Sequence, residues 1–358
     1  FKVYLIMIKL GFGFYYHMLN DKHFAFAQQC GATHAVIHLV DYQYQGEKSE
    51  KSKKFQQPKG DENGWGIAGK NLPLWNTKYL NEIKSKLSDH GLELLAVENF
   101  DPSDWFDVLL DGPRRNEQIK TIKKHINTLG EVGIPIMGYN FSIAGVTSRI
   151  EGSFARGGAK SVGMKTVNNA PLPNGLVWNM RVNNTSEGFI PSATETQLWD
   201  RWRRFIDDIL PEAESAGVIL AAHPDDPPVK YLRQQPRLGW NIQAYESILE
   251  YKKSEFNKLE LCLGTIAEMP EHDIYASIER IAQKKGIAYI HFRNVIGHAP
   301  NYREVFIDEG QVEMKRIIQI LNKENYDGVL IPDHAPEMTC DAPWHAGMAY
   351  AMGYIKSL

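Results

Sequence analysis

Four side chains that can bind a metal stand tens of residues apart, each near the end of a short apolar run. His223 closes "GVILAAH", Cys262 sits in "LELCLG", His291 in "IAYIHFRN" and Asp333 in "GVLIPDH". Neutral imidazole, thiolate and carboxylate together suit a borderline divalent transition metal. The spacing is too wide for a local zinc motif, so the fold itself must bring the four together. Other polar residues gather around them. Pro224 stops the run before it, which lets the following loop turn over the site, and Asp225 and Asp226 are candidates to hold a ligand histidine by its other nitrogen. Arg293 and Asn294, just past His291, are candidates to hold a substrate carboxylate or hydroxyl, with Asn140 and Ser142 similar. Arg149 and Arg156 lie in the Gly-rich "TSRIEGSFARGGAK", a loop suited to closing over an anionic substrate.

Elements that place these residues follow from hydropathy. Short apolar runs at 8–14, 33–40, 92–99, 134–140, 217–223, 259–264, 287–294 and 328–334 alternate with amphipathic segments, the pattern of parallel strands covered by helices. Helices are expected near 22–31, 79–90, 116–132, 200–216, 242–254, 273–285, 312–325 and 344–357. Eight strand–helix units predict an α/β fold, a (β/α)8 TIM barrel occupying 1–358 as a single domain. No G-x-G-x-x-G follows the first strand, so a dinucleotide-binding sheet loses its main support. Long irregular stretches at about 41–77 and 143–198 leave from strand C-terminal ends, where barrels carry their active sites, and are read as lids. The four metal-binding side chains thus fall on the fifth to eighth strands, at one barrel mouth.

Bulk composition excludes several classes. The 358 residues are 43% hydrophobic and 23% charged, ordinary for a globular protein. A net charge of −3 gives no electrostatic case for nucleic acid or an anionic membrane, and the small basic run Lys51 to Lys54 reads as a solvated loop. Cys30, Cys262 and Cys340 are too few and too scattered for a disulfide framework, which points to a reducing, cytoplasmic setting. No stretch is long and apolar enough for a membrane span. Met7 reads as a natural start, with residues 1–6 an upstream extension. The oligomeric state is left open, with a homo-oligomer allowed.

The runs "IMGYNF", "HPDDPP", "LCLGT", "HFRNV" and "PDH", in this order on successive strands, resemble the mannonate dehydratase family over roughly residues 8–355. The resemblance implies a (β/α)8 enzyme using Mn2+ or Fe2+ to convert a small-molecule sugar acid, D-mannonate, to 2-keto-3-deoxy-D-gluconate and water in hexuronate catabolism. It implies that His223, Cys262, His291 and Asp333 are the metal ligands, the same four reached from strand ends, and that His334 is a catalytic acid/base. The chain departs from the family after "PDH". Where a Gly-Tyr with a catalytic tyrosine is expected, Trp344 and His345 stand, and the stretch after the seventh strand reads "YREVFIDEG". His345 is therefore the candidate for the second acid/base, and Trp344 a candidate wall against the sugar chain.

Dehydrating a sugar acid requires loss of the proton alpha to the carboxylate and of the neighbouring hydroxyl, which calls for a cation, a base and an acid. The departures leave open a related dehydratase acting on another aldonic acid. A metal-dependent isomerase or epimerase of the xylose-isomerase-like barrels, which would return the proton rather than lose water, is the second reading. A third is a binding protein that holds a sugar acid without turnover.

Overall fold

Each of the eight apolar runs is a parallel strand, and together they close a barrel in the computed structural model, which describes residues 8–46, 63–69, 74–182, 187–270 and 272–358. In chain order these are β1 (Lys9–Phe14), β2 (His34–Ile37), β3 (Glu93–Glu98), β4 (Ile136–Tyr139), β5 (Ile219–Ala222), β6 (Asn257–Cys262), β7 (Ile287–His291) and β8 (Val329–Ile331). Sequential strands are neighbours around the ring, and β8 pairs with β1 through Lys9 opposite Val329 to complete it. This is the (β/α)8 TIM barrel, with the helices packed outside.

The helices form where an apolar stripe can meet the strands. Glu195–Ala216 starts with a reciprocal capping box between Thr194 and Gln197 and ends at Gly217, whose φ of 68° suits a residue without Cβ. Its Leu198, Trp202, Phe205, Ile206 and Ile209 lie on one buried face at helical spacing. Helix Thr77–Asp89 buries Leu80, Ile83 and Leu87 in the same way. Two short helices were not expected, Pro102–Leu110 and Leu263–Glu268.

Inside the barrel, side chains alternate inward and outward with period two. One inward layer is apolar, with Val36, Ala96, Ile136, Ala221, Tyr289, Val329 and Ile331 forming a closed cluster. Two residues further along most of these strands comes the polar mouth: His38 after Val36, Glu98 after Ala96, His223 after Ala221, His291 after Tyr289 and Asp333 after Ile331. One register thus gives the barrel a dry floor and a titratable rim.

The insertions differ from the expected irregular lids. Arg149–Ala155 and Ala159–Met164, after β4, pair with Asn294–His298 and Asn301–Val305, after β7, as a four-stranded antiparallel sheet. A second ribbon, Leu176–Val177 with Met180–Arg181, turns through Trp178 and Asn179, both at positive φ (50° and 59°). Of the stretch 41–77, residues 47–62 and 70–73 lie outside the described residues, as do Lys51–Lys54 and residues 1–6. Trp65 is described, and its N–H donates to the Asn179 carbonyl at 2.8 Å. Among the described residues no helix is long and apolar enough to cross a membrane.

Candidate metal centre and active-site cavity

The mouth of the barrel holds a cavity with about 590 Å³ free of atoms, part of it open to solvent. His223, His291, Asp333 and His334 line it from the strand tips, and Tyr15, Tyr42, Trp65 and Trp178 line it from β1 and the inserted segments. Cys262 is wholly buried beside them.

The donor atoms converge. His223 Nδ1 lies 2.6 Å from the Pro224 carbonyl, which fixes its proton there and leaves Nε2 free. One donor atom each from His223, Cys262 and His291 falls within 4.8 Å of the others, spacing that one ion could bridge. Asp333 Oδ2 stands 4.0 Å from Cys262 Sγ and 3.6 Å from His291 Nδ1. His291 Nδ1 is buried and makes no hydrogen bond, as expected of a nitrogen reserved for a ligand bond. Thr265 donates to Cys262 Sγ through its N–H (3.4 Å) and its hydroxyl (3.1 Å). Burial pushes the Cys262 thiol up, but the Arg293 guanidinium and the neighbouring His223 and His291 imidazoles outweigh it and bring it down to about 5. Burial pushes His223 down, yet Cys262 and Glu260 raise it to about 9. Asp333 is held well below the usual carboxylate range because His334, His291 and Arg293 overcome its desolvation. Two imidazoles, a thiolate and a carboxylate at one strand-tip cluster fit a borderline divalent cation.

His334 faces the cavity beside this set. Its Nδ1 lies 3.1 Å from both oxygens of Glu304, leaving Nε2 as the exchangeable nitrogen. Glu304 comes from the inserted sheet and is paired with Arg149 at 3.3 Å. Arg149 also pairs with Asp226 at 3.0 Å, lines the cavity, and has a buried Nε without a partner. Asn140 lines the cavity too, where it ties two loops together: its amide donates to the Pro224 carbonyl at 3.1 Å, and Trp178 Nε1 donates to its oxygen at 3.2 Å.

Several expected residues stand elsewhere. Arg293 does not line the cavity; its guanidinium is spent on Glu268 (2.7 Å), Asp226 (2.9 Å) and Asp333 (3.1 Å), so it braces the Asp333 carboxylate from behind. Asn294 closes the turn after β7, donating to the Ile307 and Val312 carbonyls at 2.9 Å. Ser142 is buried and caps a loop, accepting from the Gly145 N–H at 3.0 Å. Trp344 is buried against Phe12 and Phe26 on the outer face of β1, and the helical turn sends His345 to stack on His23 instead. Neither reaches the cavity. Asp225 and Asp226 hold arginines rather than a histidine, Arg237 at 3.0 Å and Arg149 at 3.0 Å. Arg156 is an exposed partner of Asp308.

Sequence reasoning passed over Glu98, Glu260 and Glu304, and the cavity's Tyr15, His38 and Tyr42. Glu98 and Glu260 carried a signal, an acid inside an otherwise apolar strand run.

The pattern of the D-mannonate dehydratase (UxuA) family matches residues 45–156 and 160–358. The mannonate dehydratase of Streptococcus pneumoniae (strain 70585) is 30% identical over 274 residues, 73% of this chain and 74% of that protein. That of Streptococcus suis (strain 05ZYH33) is 29% identical over 277 residues, with 73% and 74% covered. The crystal structure of mannonate dehydratase from Streptococcus suis serotype 2 superposes with a TM-score of 0.74 at 25% identity, covering 98% of this chain and 92% of that one. A xylose isomerase domain protein from Planctomyces limnophilus shares the fold at a TM-score of 0.58 and 10% identity, with 98% and 96% covered. With the family pattern spanning most of its length, the chain belongs to the D-mannonate dehydratase family of hydro-lyases.

Proposed function

We propose that this protein is a metal-dependent sugar-acid dehydratase that converts D-mannonate to 2-keto-3-deoxy-D-gluconate and water in hexuronate catabolism, in the cytoplasm. The observation that carries the reading is the convergence of His223, Cys262, His291 and Asp333 beside a Glu304-held His334 in one cavity. His223 Nε2, Cys262 Sγ, His291 Nδ1 and Asp333 Oδ2 would hold Mn2+ or Fe2+, for which a thiolate is a better partner than for Mg2+. Such a cation, when bound, withdraws electron density from substrate oxygens and so stabilises the negative charge that develops as the alpha proton leaves. A reducing cytoplasm keeps the thiolate available, and all three cysteines are free.

The chain's own groups do the rest. Arg149 is the only lysine or arginine among the described cavity-lining residues, and it takes the substrate carboxylate. His334 moves a proton at Nε2, since Glu304 fixes Nδ1 and supports the charged ring. With His345 outside the cavity, the partner acid/base comes from the titratable lining side chains Tyr15, His38 and Tyr42. Trp65 and Trp178 exclude water above the reacting carbons.

Incubating Mn2+- or Fe2+-loaded protein with a panel of hexonates and pentonates tests this. The expected result is a 2-keto-3-deoxy acid from D-mannonate, lighter than the substrate by one water. A product of unchanged mass would make the protein an isomerase or epimerase instead.

A further inference from the structure

Beside the donor set, the barrel holds two carboxylates that the chemistry above does not use. Glu98 on β3 and Glu260 on β6 are both buried, Glu260 completely. They flank one ring nitrogen. His291 Nε2 is 3.3 Å from Glu98 Oε2, as a hydrogen bond, and 3.1 Å from Glu260 Oε1. The other ring nitrogen, Nδ1, makes no hydrogen bond and faces Asp333. Tyr289 donates its hydroxyl to Glu98 Oε2 at 3.2 Å, which sets the carboxylate's orientation, while neither oxygen of Glu260 makes a hydrogen bond. An acid buried with both oxygens unpaired is costly to a barrel core and calls for a cationic or N–H partner. The fold also makes room for it. A Cβ on Gly138 of β4 would lie 2.5 Å from Glu260 Oε2 and 2.5 Å from the Tyr289 hydroxyl, so a side chain there would displace the acid.

We infer that Glu98 and Glu260 are positioning residues for the metal centre, cradling the Nε2–H of His291 so that Nδ1 is the bare nitrogen turned toward His223, Cys262 and Asp333. A carboxylate on the far nitrogen fixes the tautomer and ring angle and makes the imidazole a stronger donor. Glu98 supplies the aligned hydrogen bond. Glu260 brings a second carboxyl oxygen within 3.1 Å of the same nitrogen, and at 4.0 Å from His223 Nε2 it faces the second imidazole as well. The inference rests on the metal-site reading above.

The test is metal affinity, measured without substrate by competition of Mn2+ and Co2+ against a chromophoric chelator, with ions per chain counted by elemental analysis. The near-isosteric Glu98→Gln and Glu260→Gln should retain the native circular dichroism. Each should weaken the affinity by roughly 10- to 100-fold, the usual cost of losing such a partner. Asp104→Asn, which removes the remote partner of His125 (3.1 Å), is the control for general damage and should keep wild-type affinity. Wild-type affinity in both Glu variants would overturn the inference while leaving the metal site in place. Two ions per wild-type chain, falling to one in both variants, would overturn it in favour of a second cation site. A wild type that binds no ion would remove the metal reading and this inference together.

Discussion

At the residue scale, Cys262 decides whether the strand-tip cluster is a metal site or only a buried polar group. Its thiol is brought down to about 5, so the ligand form predominates at neutral pH. Cys262→Ala should therefore lose the metal and the activity while the fold persists; elemental analysis of the purified variant checks this, and full metal content would make Cys262 an ordinary core residue. The imidazoles behave oppositely. In the metal-free protein His223 is raised to about 9 and His291 well above its usual value, so both carry protons at pH 7 that a cation must displace. Metal affinity should then rise as pH goes from 6 toward 9, with proton release on binding. A flat profile in chelator competition would show that the imidazoles are already neutral. For His334, replacement by Gln should cost about 10²–10⁴ in kcat with metal content unchanged. His345→Gln, stacked on His23 outside the cavity, should leave kcat as in the wild type.

At the element scale, every strand that carries a donor was legible, because an apolar run with its polar residue at the end leaves the same trace in sequence and in space. The eight runs became β1–β8 and their helices fell close to the expected spans. What was not legible depended on partners far away in the chain. "EGSFARGGAKSVGM" lacks clean alternation, yet it folds as a hairpin, Glu151 opposite Val162, and its second strand then pairs with residues after β7, Tyr302 against Met164. Glu304 was missed for the same reason: its value lies in reaching His334 from the inserted sheet. Helical geometry keeps Trp344 and His345 off the cavity lining. Chain order put both near a family position, but one residue of helix turns the side chain by about 100°, and Trp344 took the buried direction. Gly138 offers a test of the strand layer. Gly138→Ala would push a methyl group against Glu260 and Tyr289 and should destabilise the protein by about 1–3 kcal/mol in denaturant unfolding, as overpacking does.

At the scale of the whole molecule, a metal held by the strand tips would be linked to barrel stability. A cation that binds only the folded barrel, at a free concentration about 100 times its Kd, adds about 2.7 kcal/mol of stability. Thermal unfolding with excess Mn2+ against excess chelator should show that gain in the wild type, and Cys262→Ala should lose it. The pairing of β8 with β1 has a further consequence. Asp333 follows a strand held on one side by β7, through His291 opposite Ile331, and on the other by β1, through Leu10 opposite Leu330. Its position depends on a contact between segments some of the furthest apart in sequence, which are slow to meet because their loop-closure entropy must be overcome first. During refolding, β5–β7 could bring His223, Cys262 and His291 into place as consecutive units, a three-donor set that holds an ion loosely. β8, laid against β7, adds the fourth donor, and its pairing with β1 closes the ring. Acquisition of tightly held metal then times the final step of folding, and a stopped-flow trace with a coloured chelator would follow barrel closure by the ion it removes from solution.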